Sequence, residues 1–193
     1  MDCGVTFKEL VPYYKQLRLV LLTHVHSDHF KERTIRALAY NRPTLRFGCC
    51  EWLVNDLIEC GVKKSNIDVF EIDNTYDYGV CTVTPVKLTH NVPNCGYKLH
   101  FSEDKVIYCT DTNDLEGIEA KGYDLYLIEN NYEDEEIQER IRQKEEQGIY
   151  PYELKVMENH LSKTKCDKFI NENSSWNSEY HYMHQHVDKN KHE

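Results

Sequence analysis

The first uninterrupted apolar run of the chain is Leu19-Val20-Leu21-Leu22, and so short a run bounded by polar residues predicts a buried strand over 19–23. Residues 6–17 before it read as a short helix. From Lys31 to Asn41 the apolar residues Ile35, Leu38 and Ala39 recur at helical spacing, and Pro43 stops the pattern. A strand over 44–47 leads to a second helix, where Trp52, Leu53, Leu57 and Ile58 form a stripe that Gly61 ends. Beyond Asn66 the pattern changes to β-type segments over 68–72, 80–84, 86–89, 96–101, 105–109 and 124–128, separated by Gly, Asn and Asp turns. The stretch 133–147 is highly charged, with Ile137 and Ile141 as its thin apolar line, and reads as a solvated helix. A last helix over 162–171, with Ser162 as its N-cap, precedes a strand over 179–183. The order is therefore αβ, then mostly β, then α.

Length and composition narrow this picture. No linker-like composition and no repeat divides the 193 residues, so a single domain over 1–193 is expected, with a polar, frayed tail over 185–193. A net charge of −10 argues against a broad basic track for nucleic acid, but leaves room for a small anionic substrate or a nucleic-acid end held at a local cationic site. No stretch approaches the roughly 20 apolar residues that span a bilayer, and the N-terminus lacks a basic-then-apolar leader. A soluble, cytoplasmic protein without membrane contact is expected, and the sequence leaves its oligomeric state open, a homodimer included. The eight cysteines (Cys3, Cys49, Cys50, Cys60, Cys81, Cys95, Cys109 and Cys166) form no Cys-x-x-Cys pair and read as buried small hydrophobes. Among fourteen tyrosines, Tyr97, Tyr108, Tyr132, Tyr150 and Tyr152 are candidates for stacking on a base.

The chemistry concentrates in His24-Val25-His26-Ser27-Asp28-His29, which follows the first apolar strand directly. In an extended segment alternate side chains share a face, so His24 and His26 can grip one ion while the following turn aims Asp28 and His29 at a second. Imidazole with carboxylate suits zinc first, then manganese or iron, with two ions roughly 3.5–4 Å apart. Six residues of one loop cannot close two coordination spheres. Three further donors stand just beyond β-prone segments: His90, Asp111 and His184. Strands of one layered core would deliver them to a common edge.

On these motifs, together with Asp2-Cys3-Gly4 and His160 in Asn159-His160-Leu161-Ser162, the chain resembles the metallo-β-lactamase fold superfamily of dinuclear metal hydrolases, closest to its ribonuclease Z-like and phosphodiesterase branch of small bacterial or phage members. The resemblance implies an α/β fold, a four-layered αβ/βα sandwich lacking the first N-terminal strands that normally precede the Asp-x-Gly element. It implies two divalent metal ions, zinc first with manganese or iron as alternatives. His24, His26 and His90 would hold the first ion, Asp28, His29 and His184 the second, and Asp111 would bridge them. Asp28 would also orient or deprotonate the attacking water. His160 would act as general acid or orient the phosphate. An alternative makes His160 the ligand in place of His184, and His186 is a third choice for that position. His100, His181 and His192 read as nonfunctional. Asn91 stands where such phosphodiesterases often carry Asp, which would change how His90 is oriented.

His29, where antibiotic-degrading relatives often carry another residue, and the missing leader weigh against a β-lactamase. The expected activity is phosphodiester hydrolysis, on a cyclic nucleotide or a nucleic-acid end. A thioester or lactone hydrolase, or a metal-binding protein without catalysis, are the alternatives.

Overall fold

The computed structural model describes residues 1–185, arranged in two compact units, Met1–Tyr76 and Asp77 onward. His186 and His192, and with them the tail expected to fray, lie outside the described residues.

In the first unit, β1 (Leu19–Leu21), β2 (Arg46–Cys50) and β3 (Ile67–Phe70) form a three-stranded sheet in that order. Both pairings are parallel, which requires a crossover between successive strands. α2 (Glu32–Asn41) and α3 (Val54–Glu59) supply them. α2 buries Thr34, Ile35 and Leu38, three positions of one helical face, into a core shared with Leu22, Phe47, Leu53 and Leu57. Gly61 ends α3 with φ +83°, as its position after the apolar stripe implies. The helix expected over 6–17 is instead a four-residue α1 (Phe7–Leu10) and a 3₁₀ turn at Tyr14–Gln16, neither of which buries a residue. Pro12 between them has no N–H with which to continue a helix.

The second unit is built on a six-stranded sheet in the order β4 (Tyr76–Asp77), β5 (Thr82–Leu88), β6 (Asn94–His100), β7 (Lys105–Cys109), β8 (Leu125–Glu129) and β9 (Glu179–Met183). The strands expected over 80–84 and 86–89 are one, running through Pro85, which pairs with Tyr97. β5 has only the two-residue β4 on its outer side, so proline's missing N–H is tolerated there. α4 (Asp134–Glu146) buries only Ile137 and Ile141. α5 (Glu153–Asn159) buries nothing, so no apolar stripe announced it. α6 (Lys163–Asn173) is capped by Ser162, whose Oγ accepts from the Lys165 amide, and packs Cys166, Phe169 and Ile170 on Ile107, Tyr126 and Ile128 of the sheet.

Strand direction decides where this unit's chemistry can sit. β7, β8 and β9 are parallel neighbours, and β5 runs with them because β6 is antiparallel to both β5 and β7. Their C-terminal ends therefore share one edge, with neighbouring strands about 4.8 Å apart.

Seven cysteines are buried, Cys81 is partly exposed, and all eight are free thiols. Tyr97, Tyr108 and Tyr132 are core residues, whereas Tyr150 and Tyr152 are exposed. No helix among the described residues is long and apolar enough to cross a membrane.

Candidate metal centre

The first unit gathers its donors where β1 runs out. His24 is buried and His29 nearly so. A chain of hydrogen bonds beginning at the Asp2 carboxylate sets their tautomers. Asp2 Oδ1 accepts from the Thr23 amide at 2.9 Å and from Thr23 Oγ1 at 3.0 Å. Having given its proton to Asp2, Thr23 Oγ1 accepts from His24 Nδ1 at 2.9 Å. Asp2 Oδ2 accepts from His29 Nδ1 at 2.8 Å. Each ring thus carries its proton on Nδ1 and presents the lone pair of Nε2.

His24 Nε2 stands 3.2 Å from His26 Nδ1. Two nitrogens on a tetrahedral zinc with bonds of roughly 2.0–2.1 Å would be about 3.3 Å apart. The spacing fits a shared cation. Asp28 is more exposed, its Oδ2 3.6 Å from His29 Nε2. The loop closes on the N-terminal segment through Cys3, whose amide donates to His29 O at 2.7 Å. Gly4 permits this approach, because a Cβ there would lie 1.6 Å from the Asp28 carbonyl oxygen.

The second unit presents its donors along the shared strand edge. His90 follows β5, Asp111 follows β7, Glu129 ends β8 and His184 follows β9. His90 Nδ1 donates to the Asn159 carbonyl at 2.9 Å, leaving Nε2 to face Asp111 Oδ1 at 3.9 Å. The donor atoms of Asp111, Glu129, His160 and His184 lie within 4.8 Å of one another. His184 Nδ1 sits 3.1 Å from both Asp111 Oδ1 and Glu129 Oε1. The hydrogen bonds to Asp111 and then Glu129 outweigh burial and push the His184 pKa up to about 10. Without a metal this ring holds a proton between two carboxylates, and a bound cation would take that proton's place.

His160, at the C-terminal end of α5, donates from Nδ1 to Glu129 Oε1 at 2.7 Å. Glu129 Oε2 accepts from the amides of Thr112 at 2.9 Å and Leu161 at 3.3 Å. Buried carboxylates with half-buried imidazoles in this density suit a borderline divalent cation.

Within each unit the structure thus brings together the candidates the sequence nominated: His24, His26, Asp28 and His29 in the first, His90, Asp111, His160 and His184 in the second. Glu129 was missed. The strand expected over 124–128 stops one residue short of it, and the strand-end rule that nominated Asp111 would have nominated Glu129 too.

Among the described residues, three of the four non-glycine residues with positive φ belong to these clusters: Asp2 at 54°, Asp111 at 58° and His184 at 51°. Left-handed backbone is costly for such residues and collects where side chains must be aimed.

Comparison with known proteins identifies the family and the fold. Residues 2–161 match the model of the beta-lactamase superfamily domain. A curated relative, the exodeoxyribonuclease YycJ of Bacillus anthracis, is 23% identical over 167 residues, which cover 80% of this chain and 60% of the relative's length. Among solved structures, the metallo-β-lactamase fold protein YhfI of Bacillus subtilis superposes with a TM-score of 0.74 at 19% identity, over 97% of this chain and 74% of that one. The short form of human tRNase Z does so at 0.60 and 14% identity, over 88% of this chain and 75% of that one.

Proposed function

We propose a reaction on one premise: the chain belongs to the beta-lactamase superfamily and has the metallo-β-lactamase fold. The reaction is metal-dependent hydrolysis of a phosphodiester. One observation carries it, the buried Glu129 carboxylate bound to His160 at 2.7 Å beside a compact set of metal donors. That pairing keeps a proton on Nδ1 and leaves Nε2 as the atom that exchanges a proton with the leaving oxygen, as a general acid requires. Hydrolysis of an activated carbonyl has less use for such a residue.

The resemblance supplies the ligand sets of this proposal: His24, His26 and His90 would hold one ion and Asp28, His29 and His184 the other, Asp111 would serve both, with zinc the first choice and manganese or iron the alternatives. When bound, such ions polarise a phosphoryl oxygen and bring a water's pKa toward neutrality. Asp2 and Thr23 keep His29 and His24 in the ligating tautomer, and Asp28, the exposed carboxylate of the His24–His29 loop, would orient the attacking water. The named activities of YycJ, an exodeoxyribonuclease, and of tRNase Z support a nucleic-acid end as substrate. The net charge of −10 supports contact with a short end rather than a long track.

The test is a substrate panel on metal-loaded protein: bis-(p-nitrophenyl) phosphate, cyclic nucleotides, DNA and RNA ends, a thioester and a lactone. Diester cleavage is expected, and His160→Ala should lower it by about 10²–10⁴-fold while sparing any carbonyl hydrolysis. Metal-loaded protein inert toward every diester overturns the reading.

A further inference from the structure

Asp111 and His184 share a feature beyond left-handed backbone: an asparagine carboxamide grips the carbonyl oxygen of each. Asn94 Nδ2 donates to the Asp111 carbonyl at 2.6 Å and to the Thr110 carbonyl at 3.0 Å. Asn131 Nδ2 donates to the His184 carbonyl at 3.1 Å. Neither asparagine offers a group to the donor clusters themselves.

The two clamps are anchored in elements that carry other donors. Asn94 opens β6, four residues after His90. Asn131 lies two residues after Glu129, and its amide donates to the carbonyl of Leu161, next to His160. Each clamp therefore ties the carbonyl of one candidate ligand to the segment that bears another. Asn94 is only 3% exposed, and its Oδ1 finds no hydrogen-bond partner among the described residues.

A left-handed residue keeps its conformation only when its surroundings over-determine it. Rotation of the Asp111 or His184 peptide toward ordinary backbone would swing the carboxylate or imidazole away from its neighbours. Both rotations would first have to break an asparagine bond. We infer that Asn94 and Asn131 are positioning residues that hold Asp111 and His184 in ligating geometry, an inference resting on the reading that these two bind metal.

The test uses full-length protein stripped with a chelator. Zn²⁺ affinity is measured by competition with a chromogenic chelator, and the visible spectrum of the Co²⁺-loaded protein reports the ligand field. Asn94→Asp and Asn131→Asp keep the shape but turn the donor into a carboxylate that repels the carbonyl. Asn131→Gln keeps a carboxamide. Each Asp variant should bind Zn²⁺ about 10–100-fold more weakly with altered cobalt bands, as loss of an outer partner does elsewhere. Asn131→Gln should recover much of the affinity. A role confined to folding would instead lower the melting temperature of the stripped protein and leave affinity and spectrum unchanged, and that result overturns the inference. Should Asn94→Asp fail to fold, the half-buried Asn131 decides by the same criterion. Because metal binding is the readout, failure of the phosphodiester reading, seen as metal-loaded protein without diester turnover, leaves this result standing. Asp111→Ala and His184→Ala proteins that bind metal as the wild type does would overturn it at its root.

Discussion

Replacing Asp2 by Asn isolates the tautomer relay of the first unit. The Asp2 side chain is 7% exposed and accepts from Thr23 N, Thr23 Oγ1 and His29 Nδ1. An Asn side chain has one acceptor oxygen for these donors, and its NH₂ must face either the Thr23 amide or His29 Nδ1. In the first case a buried amide loses its partner, at a cost of about 1–3 kcal/mol. In the second, His29 moves its proton to Nε2, the nitrogen meant for the metal. Disrupting a partner that orients a ligand histidine typically weakens metal binding about 10–100-fold, which corresponds to about 1.4–2.7 kcal/mol. Long-range ¹H–¹⁵N NMR of the imidazoles in the metal-free protein reads the tautomer, and zinc titration of the same sample reads the affinity. Asp2→Asn should show either a His29 ring protonated on Nε2 with weakened zinc binding, or a less stable protein with the tautomer kept. If His29 stays protonated on Nδ1 and neither affinity nor urea midpoint moves, the relay is not what orients these rings.

Glu129→Ala removes the acceptor for the Thr112 and Leu161 amides as well as for His160 and His184. Each buried amide left without a partner should cost about 1–3 kcal/mol in a urea titration, and diester turnover should fall with it. Gly4→Ala would place a Cβ 1.6 Å from the Asp28 carbonyl oxygen, a clash only movement of the metal loop can relieve. Far-UV circular dichroism should show a folded protein whose zinc stoichiometry, measured by elemental analysis, is reduced. Thiol labelling at pH 8 should modify Cys81 alone at an appreciable rate, because Cys49, Cys109 and Cys166 are buried and burial pushes their pKa values up to about 12. All eight thiols should react in denaturant, and rapid native labelling of several would contradict the packing described.

Segments governed by local pattern were legible from residue types alone. The strands Lys105–Cys109 and Glu179–Met183 lie where alternation and β-branched or aromatic residues placed them, and α6 begins after the Ser162 cap. The misreadings occur where tertiary contacts overrule local pattern. Pro85 looked like a strand break, yet it sits in β5, where the outer neighbour is two residues long. α5 has no buried residue and therefore no periodicity to detect, although its C-terminal end delivers His160. Of the five tyrosines considered for stacking, Tyr97, Tyr108 and Tyr132 are core and Tyr150 and Tyr152 are exposed, a distinction that residue type does not carry.

The same division holds inside the candidate site. Histidine and aspartate announce themselves by type and by position after a strand, which is why the candidate donors on each unit were nominated from the sequence. Their orientation depends on partners distant in sequence: Asp2 lies 27 residues from His29, Asn94 lies 17 from Asp111, and Asn131 lies 53 from His184. No local spacing rule connects such pairs, because strand order, not sequence distance, makes them neighbours. Glu129 falls between the two cases. Its place at the end of β8 was readable, but its contacts follow from the fold, which brings His184 beyond the parallel neighbour β9 and His160 at the end of α5 to its carboxylate. Candidacy as a donor is thus a local property of this chain, whereas the aim of each candidate belongs to the fold, and changes at Asp2, Asn94 or Asn131 should impair metal binding without removing a single proposed ligand.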